Sequence, residues 1–207
     1  MRSIRASRAA VGEAALLLSA FRLTTAHRSS LPDLTAALDA HVQRYLADFS
    51  ATDDETGERF ITAPFLDLPE DEPLARLTNC GHPPPLLLRP GQELRPVVAE
   101  TGPPLGVRLL SASIHAETTV PFDAGDTLLL YTDGVIEARD ASGTFYPLAQ
   151  RAAHWAHCPP AALVRHLCRD LFAHTGGRLG DDALIAVHRA SHSHKTSPAR
   201  RGPEAAC

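Results

Sequence analysis

Three carboxylates stand where apolar runs begin or end. The run Leu128-Leu129-Leu130-Tyr131-Thr132 closes on Asp133-Gly134, and Asp181-Asp182 immediately precede the apolar stretch Ala183 to Val187. A carboxylate at the mouth of a core strand, next to a glycine that lets the backbone turn sharply, is well placed to take a metal ion. Two adjacent like charges are costly when partly buried unless a cation or hydrogen bonds offset them. If those strand ends converge they form an oxygen-only site suited to Mg²⁺ or Mn²⁺, and oxygen ligands with retained water are the equipment of phosphoryl hydrolysis. The bland alternatives stay open: an ordinary Asp-Gly turn, and an exposed acidic loop. The segment Asn79-Cys80-Gly81-His82-Pro83-Pro84-Pro85 is a rarer pattern, and its lone His82 reads as a structural member of a rigid turn. The other histidines, His192 and His194 included, lack partners at metal-ligand spacing and read as surface residues.

Other chemistries find no support. The chain has no G-x-S-x-G elbow, no phosphate-binding P-loop and no G-x-G-x-x-G fingerprint, which argues against a serine hydrolase, an NTPase and a dinucleotide enzyme. Cys80, Cys158, Cys168 and Cys207 are widely spaced, without a CxxC pair, so zinc is not expected and reduced cytoplasmic thiols are. A formal net charge of −4 leaves no basic surplus for a nucleic acid. The apolar stretch Ala9 to Phe21 follows Arg2, Arg5 and Arg8 in the manner of a signal peptide. Glu13 interrupts it, so an amphipathic helix is the preferred reading and no membrane partner is expected.

The elements that must position these acids follow from periodicity. At 207 residues, with 44% hydrophobic and 21% charged side chains, the chain is one globular domain's worth with a tail. Residues from Ala9 to about Ala26 place Val11, Ala15, Leu18 and Leu16, Ala20, Leu23 at helical spacing. Leu34, Leu38, Val42 and Leu46 recur every fourth residue behind Ser30, Pro32 and Asp33, which resemble a capped start. Asp53 to Glu58 reads as a surface loop. Short β-rich runs follow at Phe60–Leu68, Leu74–Asn79, Pro85–Leu88, Leu94–Val98, Ile114–Phe122 and Thr127–Thr132, with Pro90-Gly91 and residues 123–126 short enough for hairpin turns. Helical spacing returns after Pro147 and again after Pro159-Pro160, with Leu163, Leu167 and Leu171 on one face, before a last strand at Ala183–Val187. Residues 191–207 are polar and aperiodic, and are expected to be a disordered tail. The fold class is α+β, with helices packed on antiparallel sheets.

Phe60-Ile61-Thr62-Ala63, Asn79 to Pro85, Gly102-Pro103-Pro104-Leu105-Gly106, Gly125-Asp126 leading into Tyr131-Thr132-Asp133-Gly134, and Gly180-Asp181-Asp182 occur in this order. As an ordered set, from about Ala9 to Arg189, they resemble the SpoIIE-like branch of the metal-dependent protein phosphatases, the PPM family. The resemblance implies a sandwich of antiparallel sheets flanked by helices over residues 1–190. It also implies hydrolysis of phosphoserine or phosphothreonine on a regulatory protein, with a phosphorylated anti-sigma-factor antagonist as the substrate class. It implies two Mn²⁺ or Mg²⁺ ions held by aspartates and waters, and places Asp133, Asp181 and its neighbour Asp182 on the family's metal ligands. The family also carries a leading strand with an acidic Gly-Asp-Val-x-Gly-x-Gly motif, whereas residues 2–8 here contain no carboxylate and Leu184 stands where threonine is usual. One metal ligand fewer and an unpaired sheet edge are therefore expected. Three explanations stay open: a misassigned start, a fragment, or a catalytically degenerate phosphatase-fold binding module.

Overall fold

The computed structural model describes residues 15, 17–25, 30–50, 60–107, 115–178 and 183–190. They fall into two compact units, Met1–His82 with Ala99–Val120, and Pro83–Val98 with Pro121–Cys207.

The first unit packs two helices on a sheet. Helix α1 covers residues 17–25 and α2 covers Leu31–Ser50. Helix α2 starts where Ser30 Oγ accepts the Asp33 N–H at 3.3 Å and donates to Asp33 Oδ2 at 2.7 Å, a reciprocal cap that satisfies an otherwise orphaned amide. Its expected stripe of Leu34, Leu38, Val42 and Leu46 is buried, against Ala63, Phe65, Cys80 and Leu105. Helix α1 is helical as the spacing predicts, and its apolar residues divide between core and solvent. Ala20 is buried and Leu17 packs against the core, whereas Leu18 and Leu23 are 59% and 74% exposed. Residues 9–14 of that expected helix lie outside the described residues. The sheet is built from β1 (Ala63–Asp67), β2 (Leu74–Cys80), β5 (Thr101–Gly102) and β6 (Thr118–Pro121). Strands β1 and β2 run antiparallel from Ala63↔Cys80 to Asp67↔Arg76, and β5 joins β2 in parallel at Asn79 and Cys80.

The second unit holds β3 (Leu86–Leu88), β4 (Arg95–Pro96), β7 (Thr127–Tyr131) and β8 (Leu184–His188) in the order β4-β3-β7-β8, all antiparallel. All five residues of β7 are buried, which explains its uninterrupted apolar run. Helices α3 (Asp133–Glu137), α4 (Leu148–His154) and α5 (Pro160–His174) complete the unit. Pro159 and Pro160 open α5 as expected, and Leu163, Leu167 and Leu171 pack with Leu148 and Ala152 onto Leu86, Leu88, Leu129 and Tyr131.

Several expectations are corrected in detail. The turn at 123–126 is not a hairpin: it follows β6, which pairs with β2, and precedes β7, which pairs with β3 and β8. The Pro90-Gly91 turn does join antiparallel neighbours, β3 and β4. Strand β4 shrinks to Arg95–Pro96, since Pro96 has no N–H to offer a ladder. Neither β5 nor α3 was foreseeable as an element, being two and five residues long with no period to read.

Candidate metal-binding acids and the turns that support the fold

Strand β7 ends at Tyr131, and the backbone passes through Thr132 into the single turn of α3. The turn is secured by Val135, which is fully buried and donates its N–H to Thr132 O at 3.1 Å. This leaves Asp133 at the exposed start of α3. Its Oδ1 accepts the Gly134 N–H at 2.9 Å, and it forms no ion pair among the described residues. Asp181 and Asp182 lie outside the described residues. The next residue in the chain, Ala183, donates its N–H to Thr132 Oγ1 at 3.0 Å, and Ala183 O accepts the Thr132 N–H at 3.1 Å. Thr132 is the residue before Asp133, so this hydrogen-bonded pair joins the end of β7 to Ala183, the first described residue after Asp182 in the chain. Among the described residues no three His, Cys, Asp or Glu side chains cluster as a metal site. Asp133 supplies one hard oxygen donor that no cation neutralises among those residues, which suits Mg²⁺ or Mn²⁺ and not a thiophilic metal.

The other residues of the ordered motifs shape the backbone. Asn79 is buried and bridges its own turn, with Nδ2 donating to His82 O and Oδ1 accepting the His82 N–H, both at 2.8 Å. Gly81 sits in the turn at φ +67°, donates its N–H to Gly102 O at 2.9 Å, and has Pro104 Cγ where a side chain would begin, 2.6 Å from an added Cβ. The Gly102–Gly106 segment is fastened twice more. Ile61 and Leu105 exchange backbone hydrogen bonds of 2.9 and 2.8 Å, and Gly106 N–H donates to Asp39 Oδ1 at 2.7 Å. Asp39, on α2 and 7% exposed, also accepts from Gln43 Nε2 at 2.9 Å.

Asp126 is likewise an anchor. Its carboxylate is buried and receives the Arg89 guanidinium through Nε (3.1 and 3.2 Å) and Nη2 (2.9 Å), together with the Asp123 N–H at 2.9 Å. This hydrogen bonding raises the Arg89 pKa above its ordinary value. Cys80 Sγ lies 3.5 Å from His115 Nδ1, both buried. Burial, and secondarily the charge of Asp39, pushes the Cys80 thiol up to about 12, so it is no nucleophile at neutral pH. Burial also lowers the His115 pKa, against the opposing pull of Asp39.

Sequence reasoning passed over Asp39 and Arg89, and its reading of the other histidines as surface residues is corrected at His115, which is buried at 4% exposure because it packs against Cys80. Asp39 carried a usable signal, as an acid in helical register beside the buried Leu38 and Val42. Arg89 and His115 carried none, because their partners Asp126 and Cys80 are 37 and 35 residues away.

The fold is that of the PP2C-type phosphatases. The PP2C domain of SiaA from Pseudomonas aeruginosa superposes with a TM-score of 0.70 at 14% identity, over 86% of this chain and 69% of that one. The RsbU and RsbW domains of Rv1364c from Mycobacterium tuberculosis give 0.61 at 24% identity over 88% of this chain, which spans about half (49%) of theirs. The catalytic domain of the serine/threonine protein phosphatase PstP, solved with two manganese ions, gives 0.57 at 17% identity, over 84% and 79%. Residues 7–191 match the family of Stage II sporulation protein E, and the chain belongs to that SpoIIE family of PPM phosphatases. Among curated proteins there is no match. Among the described residues no helix is long and apolar enough to cross a membrane.

Proposed function

We propose that the chain is a metal-dependent protein serine/threonine phosphatase, with Asp133, Asp181 and Asp182 as metal ligands. The observation that carries this is the pair of hydrogen bonds between Thr132 and Ala183, the residues that in the chain immediately precede Asp133 and follow Asp182. A pair of divalent cations, when bound, supplies an activated water and neutralises charge developing on the phosphoryl oxygens. The chain's own contribution is placement. Buried Val135 and the β7–β8 register hold the Asp133 backbone still, and the exposed carboxylate is left available to a cation. The family match across both units, and a chain that passes between them after residues 82, 98 and 120, support taking residues 1–190 as one catalytic domain. The finer assignment, a phosphorylated anti-sigma-factor antagonist as substrate, follows the family resemblance.

The test is Mn²⁺-dependent phosphate release from a phosphoserine peptide by the purified chain and by Asp133→Asn. Turnover lost in the variant with unchanged folding supports the reading. Equal turnover in both removes Asp133 from the site. Binding of the peptide without turnover in either chain transfers the reading to a phosphatase-fold binding module.

A further inference from the structure

A groove of about 840 Å³ opens at Gly134, the residue after Asp133. One wall is α3 with the loop that follows it, and the other is the C-terminal end of α5 with Thr175, Gly176 and Arg178. The loop wall is braced. Asp140 Oδ1 accepts the N–H groups of Ser142 (2.8 Å) and Thr144 (2.9 Å) and the Ser142 hydroxyl (2.6 Å), which hold its carboxyl below the usual range. Arg139 pairs with Phe145 across the loop and stacks on its ring, 3.9 Å from Cζ to the centroid. His174 Nε2 donates to Thr144 O at 3.1 Å and so ties the two walls together. A groove fixed in this way needs little reordering to receive a chain.

The charges in the groove are unevenly committed. The Asp140 carboxylate already accepts three hydrogen bonds. Arg139 uses one N–H, on Gly143 O at 3.3 Å, and Arg178 is exposed and makes no hydrogen bond or ion pair among the described residues. Glu137 is the remaining acid of the lining with no such partner among those residues. Among the described residues the groove therefore offers two guanidinium groups with spare donors, in a lining that begins at the residue after Asp133, and guanidinium pairs best with carboxylate. We propose that it holds the residues flanking the phosphorylated side chain of a protein substrate, and that Arg139 and Arg178 select acidic side chains there. This rests on the phosphatase reading above.

The experiment compares hydrolysis of two phosphoserine peptides, one flanked by glutamates and one by glutamines, with p-nitrophenyl phosphate as a substrate that has no flank. The wild-type chain is expected to favour the glutamate peptide about tenfold in kcat/KM, with the preference shrinking as salt rises toward about 0.3 M. Arg178→Glu should abolish or reverse that preference while leaving p-nitrophenyl phosphate hydrolysis unchanged, and Glu137→Gln should widen it. Hydrolysis with no preference in the wild type, or a preference that Arg178→Glu does not alter, overturns the groove proposal and leaves the phosphatase reading standing. If no substrate is hydrolysed, the phosphatase reading fails and the groove is decided by fluorescence anisotropy of the same peptides. Tighter binding of the glutamate peptide that Arg178→Glu removes keeps the groove as an acidic-peptide site, and equal binding of the two peptides overturns it.

Discussion

The turn at Asn79–His82 in the first unit and the turn at Thr132–Gly134 in the second both follow a buried strand, and both carry a polar residue, a glycine and a motif that stands out in the sequence. Their polar groups have opposite fates. Asn79 is 1% exposed, and its amide is closed onto the His82 backbone by a hydrogen bond at each end. Asp133 is exposed, and its carboxylate accepts only the amide of its own neighbour among the described residues. A side chain whose hydrogen-bonding capacity is used internally maintains the backbone, whereas an exposed acid held in place by the backbone around it is free for a ligand. A memorable motif is therefore not evidence of chemistry until the partners of its polar atoms are known.

The widest separation of the two roles should come from Asp133→Asn. Phosphate release is expected to fall on the order of a thousandfold, with a thermal melting curve superimposable on the wild type, because among the described residues the carboxylate accepts only the Gly134 N–H, a bond that the asparagine Oδ1 can also accept. Asp126→Ala should do the reverse. It leaves the Arg89 guanidinium without its buried partner and costs about 3 kcal/mol in denaturant unfolding, while turnover per folded molecule is unchanged. Gly81→Ala should cost about 2 kcal/mol, through its positive φ and the clash with Pro104, and retention of the wild-type midpoint would break the comparison at its structural end.

The smallest effect concerns pH. His115 has a folded pKa lowered from 6.5 by burial, so the unfolded chain binds more protons than the folded one once the pH falls through that value. Its contribution to stability is complete above the unfolded pKa and is lost progressively on acidification toward the folded pKa, at no more than about 1.4 kcal/mol per pH unit. Among the described residues the titratable groups that act on it are the Cys80 thiol and Asp39. Replacement by glutamine should flatten the slope of unfolding free energy as the pH falls below about 6.5, measured by urea titration.

Much of the fold was legible where a period runs long enough to be counted. The stripe Leu34-Leu38-Val42-Leu46 predicted the buried face of α2, and Leu163-Leu167-Leu171 that of α5. The same reasoning identified α1 as a helix without choosing its buried face, because its apolar residues satisfy helical spacing on more than one face. Which face turns inward depends on the strands offered to it, and Leu18 and Leu23 remain in solvent. The turn at 123–126 was misjudged for a related reason, since hairpin chemistry and a crossing between sheets use the same residues.

For the candidate site, the sequence alone identified Asp133 as an acid at the end of a core strand and placed Asp181 and Asp182 just before another. Composition and local spacing suffice for that, because strand burial and turn chemistry are short-range properties. That β7 and β8 are neighbours, with Thr132 bonded to Ala183, was decided only by the tertiary structure, as were the attachment of Gly106 to Asp39 and of Asp126 to Arg89. Each of these contacts joins residues 37 to 67 positions apart, and no local energy records which distant partner a hydrogen-bonding group will meet. That choice belongs to the packing of the whole chain, which alone can offset the entropy of closing such loops.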